Sequence, residues 1–172
     1  MFHDDALVVV NKPSGLVVHR GWATEDAYAM TLVRDAIGRH VHPVHRLDRP
    51  TSGALVFALD RADVSGLQAQ FAERRVHKRY LALVRGIPPE SGEVDHPIAS
   101  EKGAQKKPAQ TRFRRLVVLR DRYAWVEAVP LTGRTHQIRR HLRHLSCPII
   151  GDVKHGDGKH NRLFREELGL HR

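Results

Sequence analysis

Cysteine is almost absent from this chain. Cys147 is the only one in 172 residues, so an internal disulfide and a cysteine-rich zinc site are both excluded. Long apolar runs are missing too: stretches such as Ala6 to Val10 fall far short of a membrane span, and the opening Met1-Phe2-His3-Asp4-Asp5 lacks the basic start of a signal peptide. Aromatic residues reach only 6%. No Walker-type glycine loop, dinucleotide fingerprint, internal repeat or low-complexity tract is present. A lone thiol and no membrane segment lead to the expectation of a cytoplasmic protein.

Positive charge is abundant. Lys and Arg number 29 against 19 Asp and Glu, a net charge of +10. Such an excess suits a protein that neutralises phosphates, because each cation on a nucleic-acid backbone releases condensed counterions. The length fits one domain, and 41% apolar residues supply a core, so a single domain over 1–172 is expected.

The pattern predicts buried strands at Ala6–Val10 and Ala54–Leu59, with Leu16–Val18 extended after the Asn11-Lys12-Pro13-Ser14-Gly15 turn. A helix is expected from Thr24-Glu25-Asp26 to Gly38, with Met30, Val33 and Ile37 on one face. A second helix, Asp63–Arg74, places Val64, Leu67 and Phe71 inward. Lys78–Val84 reads as a strand, Glu101–Gln110 as a basic surface loop, and Thr111–Leu119 with Tyr123–Val129 as a hairpin about Arg120-Asp121-Arg122. Thr135–Leu145 reads as a helix with Ile138, Leu142 and Leu145 inward and Arg139, Arg140, Arg143 and His144 on its other side. Leu163–Leu168 closes the list as a short helix. Paired strands with few intervening helices favour an α+β fold, a mixed, mainly antiparallel sheet with flanking helices.

Three segments carry candidate chemistry. In His45-Arg46-Leu47-Asp48-Arg49-Pro50-Thr51-Ser52-Gly53, cations around Asp48 favour its charged form, which suits a nucleophile or base. The same residues would equally serve as an Asp–Arg pair pinning a turn. Gly133-Arg134-Thr135-His136-Gln137-Ile138-Arg139-Arg140-His141 offers backbone donors at a helix start and Arg139 one turn on, or simply a solvated basic face. Tyr80, after Lys78-Arg79, is placed to stack on a base or to fill the core. The cluster Asp152, His155, Asp157 and His160 invites a metal, but no His-Glu-x-x-His motif or cysteine pair accompanies it, and His141 reads as a hydrogen-bonded core histidine. No metal and no cofactor are expected.

Taken in order, these three segments resemble the signature motifs of the RluA-type RNA pseudouridine synthases, and Asn11 to His19 is similar to that family's entry segment. Pro50, where most of the family has Asp, together with Arg139-Arg140-His141-Leu142 and Pro148 to Asp157, is similar to a tRNA-modifying branch that acts on uridine 65. The resemblance implies a pseudouridine synthase catalytic fold working without cofactor. It implies Asp48 as the nucleophile, attacking C6 of the base or C1′ of the sugar, Arg139 as its ionic partner, and Tyr80 stacked on the base. Arg46 would fill the gap left by the flipped uridine, and Lys12, Arg49, Arg134 and His136 would contact the RNA. RNA, tRNA above all, is the implied partner, with a monomer and no obligatory protein partner. Against the family pattern, an N-terminal RNA-binding module is expected to be absent and the C-terminal part of the catalytic domain shortened. A non-catalytic RNA-binding domain and a synthase for another tRNA or rRNA uridine are the alternatives.

Overall fold

The computed structural model describes residues 1–19, 27–100 and 103–168. The chain forms two compact units, Met1–Val76 and His77–Arg172. In the first, β1 (Phe2–His3), β2 (Leu7–Lys12), β3 (His42–Pro43) and β4 (Gly53–Ala58) pair in the order β1-β2-β4-β3, every pairing antiparallel. Apolar residues at alternate positions of β2 and β4 meet across the ladder, Val8 opposite Phe57 and Val10 opposite Leu55. Val8, Leu55 and Phe57 are fully buried.

Helix α1 (Ala29–Ile37) starts where the amides of Ala29 and Met30 bond to the carbonyls of Val17 and Val18. These contacts satisfy donors that no helical carbonyl can reach. Gly38 ends the helix at φ 70°, as its sequence position suggests. The expected cap at Thr24-Glu25-Asp26 lies outside the described residues. Helix α2 (Arg61–Ala72) is capped by Asp60, whose carboxylate accepts the Ala62 amide at 2.8 Å. Its apolar face is the expected one, but Val64, Leu67 and Phe71 are only half-buried. Phe71 stacks on His45 with ring centroids 4.7 Å apart, so it covers the start of the Asp48 segment.

In the second unit β5 (Tyr80–Arg85), β6 (Ser91–Asp95), β9 (Gln110–Leu119) and β10 (Tyr123–Pro130) form an antiparallel sheet in the order β5-β10-β9-β6. The β9–β10 hairpin turns through Arg120 and Asp121, at φ 50° and 48°. Both residues are left-handed, as the centre of a type I′ turn requires, and the Arg122 amide closes that turn on the Leu119 carbonyl at 3.2 Å, within a three-residue connection. β8 (Lys106–Lys107), inside the segment expected to be a loop, pairs as a short ribbon with β7 (Ile98–Ala99) just before it.

Helix α3 (Gln137–His144) packs Leu142 into the core of Val84, Val94, Phe113, Val126 and Cys147, with Ile138 and Leu145 at its margin. Helix α4 (Gly158–Leu168) begins five residues earlier than the pattern suggests, because Asp157 accepts the amides of Lys159 and His160 and caps its first turn.

The turn after β2 is held by one cation. Lys12 is 1% exposed, and its ammonium donates to the carbonyls of Pro13, Leu16 and Arg49 at 2.8, 2.8 and 3.0 Å. Those bonds use all the donors an ammonium has. The Gly15 amide also bonds to the Arg49 carbonyl, and Gly15 itself sits at φ 87°, a conformation open to glycine and costly for other residues. Substituting Lys12→Met keeps the volume and leaves three carbonyls without their donor, a loss of about 2–4 kcal/mol in urea unfolding. A midpoint equal to wild type would disprove the pinning role.

Candidate active site

Asp48 stands in the turn that follows the buried Leu47, and its carbonyl accepts the Thr51 amide at 2.9 Å. The side chain is half-buried. Around it, Arg49 donates from Nε to the Gly15 carbonyl, and the Ser14 hydroxyl donates to the Pro50 carbonyl. Two loops distant in sequence are thus laced together at the residues that follow Asp48. Burial pushes the Lys12 ammonium below its usual pKa, while the Asp48 carboxylate supports its charge. A carboxylate beside a buried cation, with its backbone fixed by a turn, suits attack on an electrophilic carbon.

The cations expected to touch RNA divide here. Arg46 and Arg49 are exposed. Lys12 is not: it is withdrawn from solvent and committed to three carbonyls, so the position expected for a phosphate contact is one that shapes the Asp48 turn. Its apolar neighbours Val8, Val9 and Val10 were the signal for burial, and the charge obscured it.

In the second unit Tyr80 opens β5, opposite Ala128 of β10, and is half-buried. Of the two placements its helix position left open, Arg139 does not take the solvated face. It is 8% exposed, and its Nε and Nη2 donate to the two carboxylate oxygens of Asp152 at 2.7 and 2.8 Å. Asp152 is fully buried, and its Oδ1 also accepts the amides of Lys154 and His155 at 3.0 Å. The two-pronged geometry fixes the plane of the guanidinium as well as its position. Asp152 is thereby the buried partner of Arg139, a role that its place in the 152–160 cluster did not suggest. Among the described residues no three His, Cys, Asp or Glu side chains converge as metal ligands.

The start of α3 is fixed by an amide. Gln137 accepts from the Thr132 hydroxyl and the Arg134 amide, and donates to the Gln110 carbonyl and the Thr111 hydroxyl. That hydroxyl contacts His141 Nδ1 at 2.9 Å, and His141 Nε2 donates to the His96 carbonyl at 2.9 Å. His141 is therefore the core histidine its pattern suggested. Arg134 is exposed and donates to the Pro108 carbonyl. His136, the N-cap of α3 at φ 55°, pairs through Nδ1 with His155 Nε2 at 3.0 Å. A left-handed non-glycine residue at such a point stores strain that neighbouring contacts must sustain.

Burial lowers His155 to a pKa of about 4, and Arg139, His136 and Arg140 add to the shift against the opposing pull of Asp152. With the unfolded value near 6.5, the unfolded chain takes up this proton first. The neutral ring's contribution is thus complete above pH 6.5 and is lost as pH falls toward 4. His155→Gln should flatten the loss of stability over that interval in urea titrations, and an unchanged slope would refute it. Replacing Asp152 with Asn leaves Arg139 a buried charge without its carboxylate, a cost of about 3–5 kcal/mol, measurable as a lowered unfolding midpoint. A change below about 1 kcal/mol would mean that the pair is not structural.

The sequence pattern of the RNA pseudouridylate synthase family matches residues 6–144. A tRNA pseudouridine synthase C of Vibrio parahaemolyticus is 44% identical, over 100% of this chain and 79% of the relative. The enzyme of the same name from Haemophilus ducreyi is 42% identical, over 100% and 79%. Among solved structures, human RNA pseudouridylate synthase domain containing 4 superposes with a TM-score of 0.79 at 32% identity, covering 98% of this chain and 75% of that one. The α+β fold, the motifs and these relatives agree, and the chain belongs to the RNA pseudouridylate synthase family, a family of isomerases that convert uridine to pseudouridine.

Proposed function

We propose that this chain isomerises uridine 65 of tRNA to pseudouridine, with Asp48 as the nucleophile. One observation carries the reading: the turn bearing Asp48 is built around a buried, carbonyl-bound cation, in a chain whose whole length aligns with relatives named tRNA pseudouridine synthase C. The Asp48 carboxylate adds to C6 of the uracil or to C1′ of the ribose. The N1–C1′ bond breaks, the freed uracil turns, and C5 bonds to C1′. C5 then gives up its proton, N1 gains one, and the carboxylate is released. Atoms and electrons balance without oxidant or acceptor, so the reaction needs no cofactor.

In this reading Arg139 is a catalytic residue held in place by Asp152, and Tyr80 stacks on the base and assists removal of the C5 proton. A uridine inside a stem must first leave the stack, which costs a few kcal/mol. Arg46 stacks into the vacated space and recovers part of that cost. Arg49, Arg134 and His136 bind the flanking backbone. The protein acts as a cytoplasmic monomer in a single catalytic domain.

Unmodified tRNA carrying tritium at uridine C5 tests this directly. The purified chain should release tritium with or without EDTA, Asp48→Asn should release none, and the product should carry pseudouridine at position 65. Release by Asp48→Asn, or a modified uridine elsewhere, would overturn the corresponding part of the reading. Retained tRNA binding without release by the wild-type chain would favour a binding domain over an enzyme.

A further inference from the structure

A cluster of basic groups lies at the far end of α3. The imidazoles of His96 and His144 stack with centroids 4.2 Å apart and planes 21° from parallel. Arg140 stands one turn before His144, so the two share a face of the helix. Its Nη1 donates to the Ala99 carbonyl at 2.7 Å, tying α3 to the β7–β8 ribbon that carries Lys106. Lys106 acts electrostatically on His96, as do His144 and Arg140. Among the described residues, no carboxylate forms an ion pair with any of these four groups. Asp95, next in sequence to His96, bonds instead to Gln110 Nε2.

The cluster is rigidly framed. His96 is held at both backbone groups, its amide on the Ala109 carbonyl and its carbonyl on His141 Nε2. The buried relay of Gln137, Thr111 and His141 ends there. Such framing of basic groups, Lys106 and His144 exposed and His96 and Arg140 half-buried, without acids is what an anion site requires, since donors already in place lose little entropy on binding. The class of ligand follows from the charge. Two stacked rings are polarisable and flat, flanked by two permanent cations, and a phosphodiester supplies one negative charge with oxygens open to several donors.

We propose that His96, His144, Lys106 and Arg140 form a phosphate-binding subsite for the backbone of the RNA substrate. The subsite deepens the RNA-modifying reading and rests on it. Burial, then His144, Lys106 and Arg140, lower the pKa of His96 in the free protein. The buried His141 behind it is lowered too, chiefly by burial. An anion on the surface opposes the cationic part of this shift, so RNA binding draws a proton onto the His96 ring and strengthens as pH falls from 8 to 6.

Filter binding of unmodified tRNA to the full chain, at pH 6 and pH 8 and across a salt series, provides the test. Wild type should bind at least about threefold more tightly at pH 6. The double substitution His96→Gln with His144→Gln should remove at least half of that difference on a logarithmic scale. Lys106→Gln, on an exposed strand and safe for folding, should lower the salt slope by about 1. Inorganic phosphate should displace tRNA no better than chloride of equal ionic strength, marking the polymer backbone as the ligand. Variants that keep the wild-type pH difference and salt slope would overturn the subsite, as would specific displacement by free phosphate. Tritium release measured alongside separates the two readings. Release with histidine-independent binding defeats the subsite alone, whereas the expected binding without release upholds the subsite and defeats the synthase.

Discussion

The buried pair of Arg139 and Asp152 is the constraint around which the second unit is arranged. Removing two charges from water costs several kcal/mol per ion, and the attraction between them offsets this only where hydrogen bonds satisfy the remaining valences. Both guanidinium prongs meet carboxylate oxygens, and two amides of the following turn complete Asp152. The turn must therefore curl tightly back on Asp152. At Gly156 a Cβ would stand 2.2 Å from the Asp152 carbonyl oxygen, so glycine is required there by close approach and not by a positive φ. The Asp152 carbonyl also accepts the amide of Asn161, whose Oδ1 takes the Gly151 amide, so the start of α4 is bound to the same corner.

The first unit reaches a similar end by a cheaper route. Its buried cation is a lysine satisfied by three neutral carbonyls, with Asp48 nearby as a source of negative potential. An ammonium suits this arrangement because its donors rotate freely toward carbonyls in different directions, while a guanidinium needs a planar partner. The difference bears on chemistry. A bidentate lock on Asp48 from Lys12 would occupy both of its oxygens, whereas a lysine turned to the backbone shapes the turn and leaves the carboxylate's own lone pairs uncommitted to that ammonium.

Much of this was legible in the sequence where a local rule acts alone. Gly38 as a helix end, the Arg120-Asp121 hairpin and the Leu142 face of α3 all follow from periodicity and turn chemistry. The motif wording also carried the family. Burial of charge was the part that local patterns concealed. Arg139 lies on the polar arc of its helix by spacing, and only a carboxylate thirteen residues away, delivered by a tight turn, makes its burial affordable. Lys12 ends a strand and looks solvated until the returning Arg49 carbonyl closes over it. Helix α2 erred in the opposite sense: the correct face was marked, yet its apolar residues cover an edge and remain half-exposed.

These burials change how the net charge of +10 should be counted. A residue whose donors are spent inside the fold releases no counterion on binding, so the total overstates the electrostatic footprint. Lys12 and Arg139 leave the account on that ground, and Arg140 is partly committed through Ala99. Among the cations that remain accessible, Arg46 and Arg49 flank Asp48, Arg134 stands before α3, and Lys106 lies with the stacked histidines at its far end. On the proposed reading, a cation beside Asp48 serves the reaction, whereas the cluster at the end of α3 serves the RNA backbone. The physical division is between charge that builds the machinery and charge that holds the polymer, and burial, not composition, draws the line.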